Sequence, residues 1–291
     1  MTLNEAIRWA TERLNKAGIE EARLEAEFLV AAAVDIPRLR LTLETSKTLK
    51  PEYEKRLTYW IQERLTRKPL AYVLGEQPFM SLSLEVNPSV LVPRPETELL
   101  VEMAQELLEK RSNAVVVDVG TGSGNIALSL APHPHVAQLY AIDISQEALV
   151  VARRNAMRNR IKQPIHCLHG DLLNPLIGRQ LKVDLIIANL PYVSREELHD
   201  LSPEVRWEPA LALDGGREGV AYLFSLIDQA ESVLSSQGVL LLEIGWNQDQ
   251  KVTEFLAARN IWKKPCVSRD LAGHPRIVCV EKGVLVESIN H

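Results

Sequence analysis

Residues 114–131 read AVVVDVGTGSG and then NIALSLA. A short β-branched run stops on Asp118 and is followed by three glycines within five residues, after which helix-forming residues resume. Valine side chains suit a pleated strand because branching at Cβ restricts them little there. Glycine lets a backbone turn sharply and come close to a ligand. The stretch predicts strand, ligand loop and helix in immediate succession. A dinucleotide loop asks for GxGxxG, but the sixth position is Asn125; a phosphate loop asks for GxxxxGK[ST], and no lysine follows. What remains is Gly120-Thr121-Gly122-Ser123-Gly124, a tighter loop suited to a ligand with no pyrophosphate.

The same rhythm continues outward. VAQLYAID reads as a strand, SQEALVVARRNAMRN as a helix, IHCLHG and VDLIIAN as strands, Val220 to Leu234 as a long helix, and VLLLEIG and RIVCVEK as further strands. Near-continuous apolar strands alternating with helices predict an α/β domain with a mostly parallel, doubly wound sheet covered on both faces. Asp143 closes the second strand, where a carboxylate can accept both hydroxyls of a ribose. It also reads as an ordinary helix N-terminal acid. Loop and acid at successive strand ends point to a nucleoside cofactor, S-adenosylmethionine. At the third strand end, Asp171 can accept from an adenine amino group and Leu172 can cover the ring, although a solvated loop acid explains Asp171 equally well.

After the fourth strand comes IIANLPYVS, residues 186–194. Asn189, Leu190, Pro191 and Tyr192 stand where open α/β sheets bind their ligands, though Asn and Pro are also common turn residues. Arg94 and Glu96 in PRPETE, Trp207, Glu208 and Pro209 after the tetrad, and Glu243 at another strand end are weaker candidates for the rim or support of a site. His166 and His169 lie three apart in a strand and so face opposite ways, and no metal site is expected.

The first 75 residues read as helices without strands. Thr2 and Glu5 form a capping-box pattern before Leu3, Ile7, Ala10 and Leu14, Gly18 ends that segment, and Pro51 opens a later helix. From Phe79 to Val86 apolar residues alternate, Asn87-Pro88 marks a turn, and Val90 to Val92 can return, so a hairpin linker is expected over 76–92. The expected division is a helical docking domain at 1–75, that linker, and a catalytic domain at 93–291. Residues 1–85 carry 13 basic and 13 acidic side chains, leaving the whole net charge of −5 on the remainder. This gives no footprint for gripping long nucleic acid. No apolar run suits a membrane span and the N-terminus lacks a signal-like apolar core, so no membrane partner is expected. Cys167, Cys266 and Cys279 show no CxxC pairing and fit a reducing cytoplasm.

Seven ordered blocks then stand out: RKPLAYVLGEQPF (67–79), VLVPRPETELL (90–100), DVGTGSGNIAL (118–128), IANLPYV (187–193), WEPALALDGGREGVAYL (207–223), LLLEIG (240–245) and RDLAGHPRIV (269–278). Together they resemble class I S-adenosylmethionine-dependent methyltransferases, and within them the HemK/PrmC family that methylates a glutamine of peptide-chain release factors. The resemblance implies a Rossmann-like, seven-stranded sheet with an antiparallel last strand, preceded by a small helical bundle. It implies cofactor contacts from Gly120, Thr121, Gly122, Ser123, Gly124, Asp143, Asp171, Leu172 and Asn189. It further implies that Asn189, Pro191 and Tyr192 are catalytic, that Asn189 to Tyr192 hold the substrate, and that a cytoplasmic monomer acts on the glutamine of a Gly-Gly-Gln loop. In that scheme the Asn189 side-chain oxygen and the Pro191 carbonyl each accept an amide N–H, and the Tyr192 ring packs on the amide plane. The family usually carries Asn-Pro-Pro-Tyr, and Leu190 departs from it. The tetrad itself also suits N-methylation of an exocyclic amino group of RNA or DNA, and the fold suits a non-catalytic S-adenosylmethionine-binding protein.

Overall fold

Val116 and Val117 are fully buried, and the strand they belong to lies in the interior of the molecule's seven-stranded sheet. The computed structural model describes residues 1–283; residues 284–291, which the expected catalytic domain includes, lie outside the described residues. The strands are β1 (Glu76–Phe79), β2 (Leu82–Glu85), β3 (Ala114–Val119), β4 (Val136–Asp143), β5 (Ile165–His169), β6 (Val183–Asn189), β7 (Leu234–Glu243), β8 (Cys266–Arg269) and β9 (Pro275–Glu281). β1 and β2 form a hairpin, and the other seven form one sheet ordered β5-β4-β3-β6-β7-β9-β8. Pairings from β5 through β7 are parallel, while β9 runs antiparallel to both β7 and β8. This is the expected sheet, antiparallel last strand included. Strand order reverses between β3 and β6, so Gly120 and Asn189 emerge side by side, with Val119 paired to Ala188.

Two apolar layers cover the sheet. One gathers Val117, Ile186, Leu240 and the helix Ala221–Val233; the other gathers Val116, Leu185, Ile187 and the helices Glu96–Leu108 and Asn125–Leu130. Each fully buried Val, Leu or Ile contributes about 1.5–3 kcal/mol relative to exposure, and a one-residue slip of a strand would turn that apolar set to the wrong face. Leaving aside residues 284–291, the chain divides into two compact units: Met1–Glu76 with Ser202–Trp207, and Gln77–Leu201 with the residues from Glu208 onward.

In the first unit, Thr2 and Glu5 make the expected capping box on helix Leu3–Lys16, and Leu3, Ala6, Ala10 and Leu14 form its buried stripe. Helices Ala22–Ala33 and Pro51–Leu65 pack on it. Arg64, 3% exposed, makes two bonds to Glu25 (2.7 and 3.0 Å) and one to Glu204 (3.0 Å), which ties the Ser202–Trp207 segment into this unit.

Two sequence readings are corrected. The hairpin turns at Met80–Ser81, with Met80 at φ +50°, instead of at Asn87–Pro88, and Val90 to Val92 is not a strand. The reason lies in a helix distant in sequence: the Asn155 side chain bonds both the N–H and the carbonyl of Glu85 (2.6 and 3.0 Å), and Asn159 does the same for Ser83 (3.1 and 3.0 Å). These two carboxamides stand in for a neighbouring strand and hold β2 where it is. The short edge strand β8, CVSR, has too little apolar pattern to be read from the sequence. It places Cys266 directly opposite Cys279, and all three cysteines are free thiols.

Candidate active site

The glycine loop is shaped by carboxylates close to it. Asp118 is fully buried and accepts from the Thr121 hydroxyl (2.6 Å) and the Ala127 N–H (3.1 Å). Its other oxygen has no protein partner, and burial pushes its pKa up to about 7. Gly120, Gly122 and Gly124 all have positive φ (+73°, +53° and +85°). A methyl on Gly120 would meet the Leu190 side chain at 3.0 Å, whereas one on Gly122 would find nothing nearer than 3.9 Å. Gly120 is therefore glycine for packing and conformation, and Gly122 for conformation and ligand access.

At the next strand end Asp143 accepts the Gly122 N–H on one oxygen (2.8 Å) and the Ser145 N–H on the other (2.9 Å). Burial raises its pKa against those bonds. Each oxygen keeps a lone pair, so a vicinal diol can be gripped by both. Leu172 is buried and held at φ +49°, a strained value for a non-glycine residue, which sets it on the cavity wall beside the exposed Asp171.

One cavity of about 260 Å³ joins these features. Its walls include Gly120 to Ser123, Asp143, Asp171 and Leu172 together with Asn189, Leu190 and Pro191. Gly124 is not on the wall; it caps helix Asn125–Leu130 from behind, against Ala152 and Leu128. Leu190 is 4% exposed and packs under Gly120, which explains how a large apolar residue is accommodated in the tetrad.

The Asn189–Tyr192 turn is braced from several sides. The Asn189 side-chain nitrogen donates to Thr97 Oγ1 (3.0 Å), and Asn189 is the register partner of Glu243 on β7. Glu243 is 1% exposed, lies beside Thr97 and Asn189, and keeps one carboxylate oxygen without a partner; burial, offset by those two neighbours and by Arg276, raises its pKa to about 7. Gln248 donates to the carbonyls of Tyr192 (3.0 Å) and Gly219 (3.1 Å) and accepts from the Gly245 N–H (2.9 Å). A methyl on Gly219, at φ +71°, would fall 2.2 Å from the Tyr192 carbonyl oxygen. The Pro191 carbonyl, expected to be an acceptor, lies against Gly215, where a methyl would come within 2.7 Å of it. The Tyr192 phenol is raised in pKa by burial and sits near Glu243, Arg276, Arg94 and Glu96; Tyr192 is not among the residues lining the cavity.

Arg94 lines the cavity and pairs with the buried Glu208 (2.5 Å), which also accepts the Val92 N–H (3.0 Å). Pro209 lines the cavity, whereas the Trp207 indole donates to Thr66 within the first unit. Thr97, Gly215, Gly219 and Gln248 escaped the sequence reading. The glycine-rich DGGREG stretch was the available signal for two of them and the PRPETE stretch for Thr97, beside Glu96; nothing local marks Gln248.

Comparisons with known proteins bear on the family and fold of the chain. A family model described as PrmC N-terminal domain matches residues 5–75, and one described as methyltransferase small domain matches residues 95–204. The release factor glutamine methyltransferase of Moorella thermoacetica is 42% identical over 277 residues, covering 95% of this chain and 97% of its own. That of Bacillus subtilis is 33% identical over 283 residues, covering 96% and 97%. Among solved structures, a methyltransferase from Pyrococcus furiosus has a TM-score of 0.51 at 17% identity, covering 79% of this chain and 98% of that one, a likeness of fold. The ribosomal protein L11 methylase of Lactobacillus delbrueckii subsp. bulgaricus has a TM-score of 0.50 at 24% identity, covering 68% and 84%. With near full-length identity to those relatives, the chain belongs to the release factor glutamine methyltransferase family.

Proposed function

We propose that the protein methylates the side-chain amide nitrogen of the glutamine in the Gly-Gly-Gln loop of peptide-chain release factors, using S-adenosylmethionine. The observation that carries this reading is that Asn189, Leu190 and Pro191 share one cavity with Gly120 to Ser123 and Asp143. A donor cradle and an amide-sized polar turn thus face the same space.

The residues fit the cofactor. Asp143 presents two oxygens suited to a ribose diol, Leu172 offers an apolar wall for adenine and Asp171 an acceptor for its amino group. The Ser123 hydroxyl is buried near the cavity without a protein partner, as a ligand-binding group is when it waits for its ligand. When bound, S-adenosylmethionine supplies an electrophilic methyl group on a sulfonium.

An amide nitrogen is a poor nucleophile because its lone pair is delocalised into the carbonyl. In our reading the Asn189 side-chain oxygen accepts one N–H of the substrate, and the Pro191 main-chain carbonyl accepts the other. Held at both hydrogens, the nitrogen pyramidalises and its lone pair is freed. Tyr192 supports the turn and flanks the amide plane. Catalysis is then chiefly orientation, an effect able to supply ~7–11 kcal/mol. No strong base is required, because the departing proton becomes acidic only as the new bond forms. The helical unit at 1–76 serves in this reading to dock the protein substrate, and the protein acts as a cytoplasmic monomer with no membrane partner.

Methyl transfer from radiolabelled S-adenosylmethionine to purified release factors, with RNA and DNA in parallel, tests the reading. Label mapped to the Gly-Gly-Gln glutamine is the expected result. Label on nucleic acid alone overturns the substrate and favours exocyclic amino-group chemistry. No transfer to any of them, with the cofactor bound, favours a non-catalytic binder.

A further inference from the structure

A carboxamide is nearly symmetrical in shape, and its two ends do opposite jobs. If Asn189 is to accept a substrate N–H, its oxygen must face the ligand and its NH₂ must be occupied elsewhere. Turned over, the same side chain would present a donor to a donor. Something in the fold has to choose between the two orientations.

The environment behind Asn189 makes that choice. Thr97 is the second residue of helix Glu96–Leu108, is 1% exposed, and accepts a hydrogen bond from the Asn189 side-chain nitrogen at 3.0 Å. Its hydroxyl hydrogen is therefore available to the neighbouring Glu243, one of whose carboxylate oxygens has no other partner. Glu243 also stands beside Asn189, at the paired position on β7. An ionised carboxylate has no donor at all. It can only attract the NH₂ end of its neighbour, so the strand pairing that puts Glu243 beside Asn189 fixes the orientation of the amide.

We infer that Thr97 and Glu243 are positioning residues that lock the Asn189 carboxamide with its oxygen free for the substrate. The inference rests on the proposed role of Asn189 in amide methylation, but the lock itself exists without substrate. It also carries a pH dependence. Glu243 faces Thr97 and Glu96 from the helix, Asn189 and Tyr192 from the tetrad, and Arg276 from β9. Burial places its pKa at about 7. Protonation turns one of its oxygens into a donor, which bonds either end of the device less selectively, so the lock loosens as pH falls through that value.

The test combines turnover with a direct view of the amide. Thr97→Val, which keeps shape and removes the hydroxyl, should lower kcat about 30-fold with the Kd for S-adenosylmethionine within about twofold, since ~2 kcal/mol is the scale for losing one hydrogen bond to a charged network. Thr97→Ser should recover turnover to within about threefold. The kcat profile of the native enzyme should fall below pH 7, and Glu243→Gln should flatten that limb. Independently of any substrate, the Asn189 side-chain ¹⁵N–¹H signals should be protected from exchange in the native protein and lose protection in Thr97→Val. Unchanged amide exchange in that variant overturns the inference, as does a Thr97→Ser variant no faster than Thr97→Val. A protected amide that Thr97→Val exposes, in an enzyme that transfers nothing to release factors, would remove the proposed substrate and leave the lock standing.

Discussion

The Gly120–Gly124 loop and the Asn189–Tyr192 turn contribute to the walls of one cavity but are supported in different ways. The loop is held mostly by residues nearer in the chain: Asp118 accepts from Thr121 and Ala127, three and nine residues on, and Asp143, twenty-one residues on, accepts from Gly122. The turn is held by remote ones: Thr97 and Glu243 behind Asn189, Gly215 against Pro191, and Gln248 and Gly219 on Tyr192. A loop that binds a fixed small molecule can be stabilised locally. A turn that must aim a particular atom at a flexible substrate needs a brace from the assembled fold, because rotation by a single bond would spoil it.

That contrast can be broken by substitution. Gly219→Val should have the largest effect, since the added side chain collides with the Tyr192 carbonyl and the backbone sits at φ +71°. We expect a loss of about 3 kcal/mol or more of stability, seen in urea unfolding, together with loss of activity. Asn189→Ala should lower kcat by about 10²–10³, the scale for deleting one acceptor that acts in the transition state. Cofactor affinity should barely move; equal losses in both would make Asn189 structural. Asp143→Ala should do the reverse, weakening S-adenosylmethionine binding by 10-fold or more by calorimetry, at ~1.5–3 kcal/mol for bonds to a charged group.

Two smaller effects sharpen the comparison. Gly122→Ala meets no neighbour within 3.9 Å, so it should cost only the ~1–2 kcal/mol of a left-handed backbone. The second concerns pH. Asp118 and Glu243 each have a folded pKa of about 7, above the ordinary carboxylate value. The native state therefore holds their protons more tightly than the unfolded chain does, and stability from this source is fully present near pH 4 and is lost as pH rises through 7. The melting temperature of the cofactor-free protein should be a few degrees higher at pH 5.5 than at pH 8. Asp118→Asn combined with Glu243→Gln should shrink that difference, and an unchanged difference would show that neither carboxyl is protonated in the fold.

Legibility followed the same division. AVVVDVGTGSG and AIDIS disclosed strand, loop and acid because each motif lies within one turn of chain. Capping at Thr2 and Glu5 was legible for the same reason. The hairpin turn was misread because Asn155 and Asn159, which fix β2, lie some seventy residues away. β8 went unseen because a short edge strand with one face covered carries little periodicity. Among site residues, Asn189 was conspicuous, whereas Thr97 and Gln248 looked like ordinary helix-end residues.

The sequence by itself determined the alternation of strands and helices from β3 to β7, the glycine loop, the acid at the next strand end and the presence of the Asn189–Tyr192 tetrad, since these depend on local conformational preference and on apolar periodicity. Only the tertiary structure decided which way the tetrad faces and what holds it. Parallel pairing of β6 with β7 brings Asn189 beside Glu243 across a long stretch of chain, and helix Glu96–Leu108 delivers Thr97 to the same point. Hydrogen bonds are short-ranged and directional, so residues far apart in sequence acquire a shared function only once the core has fixed their distance.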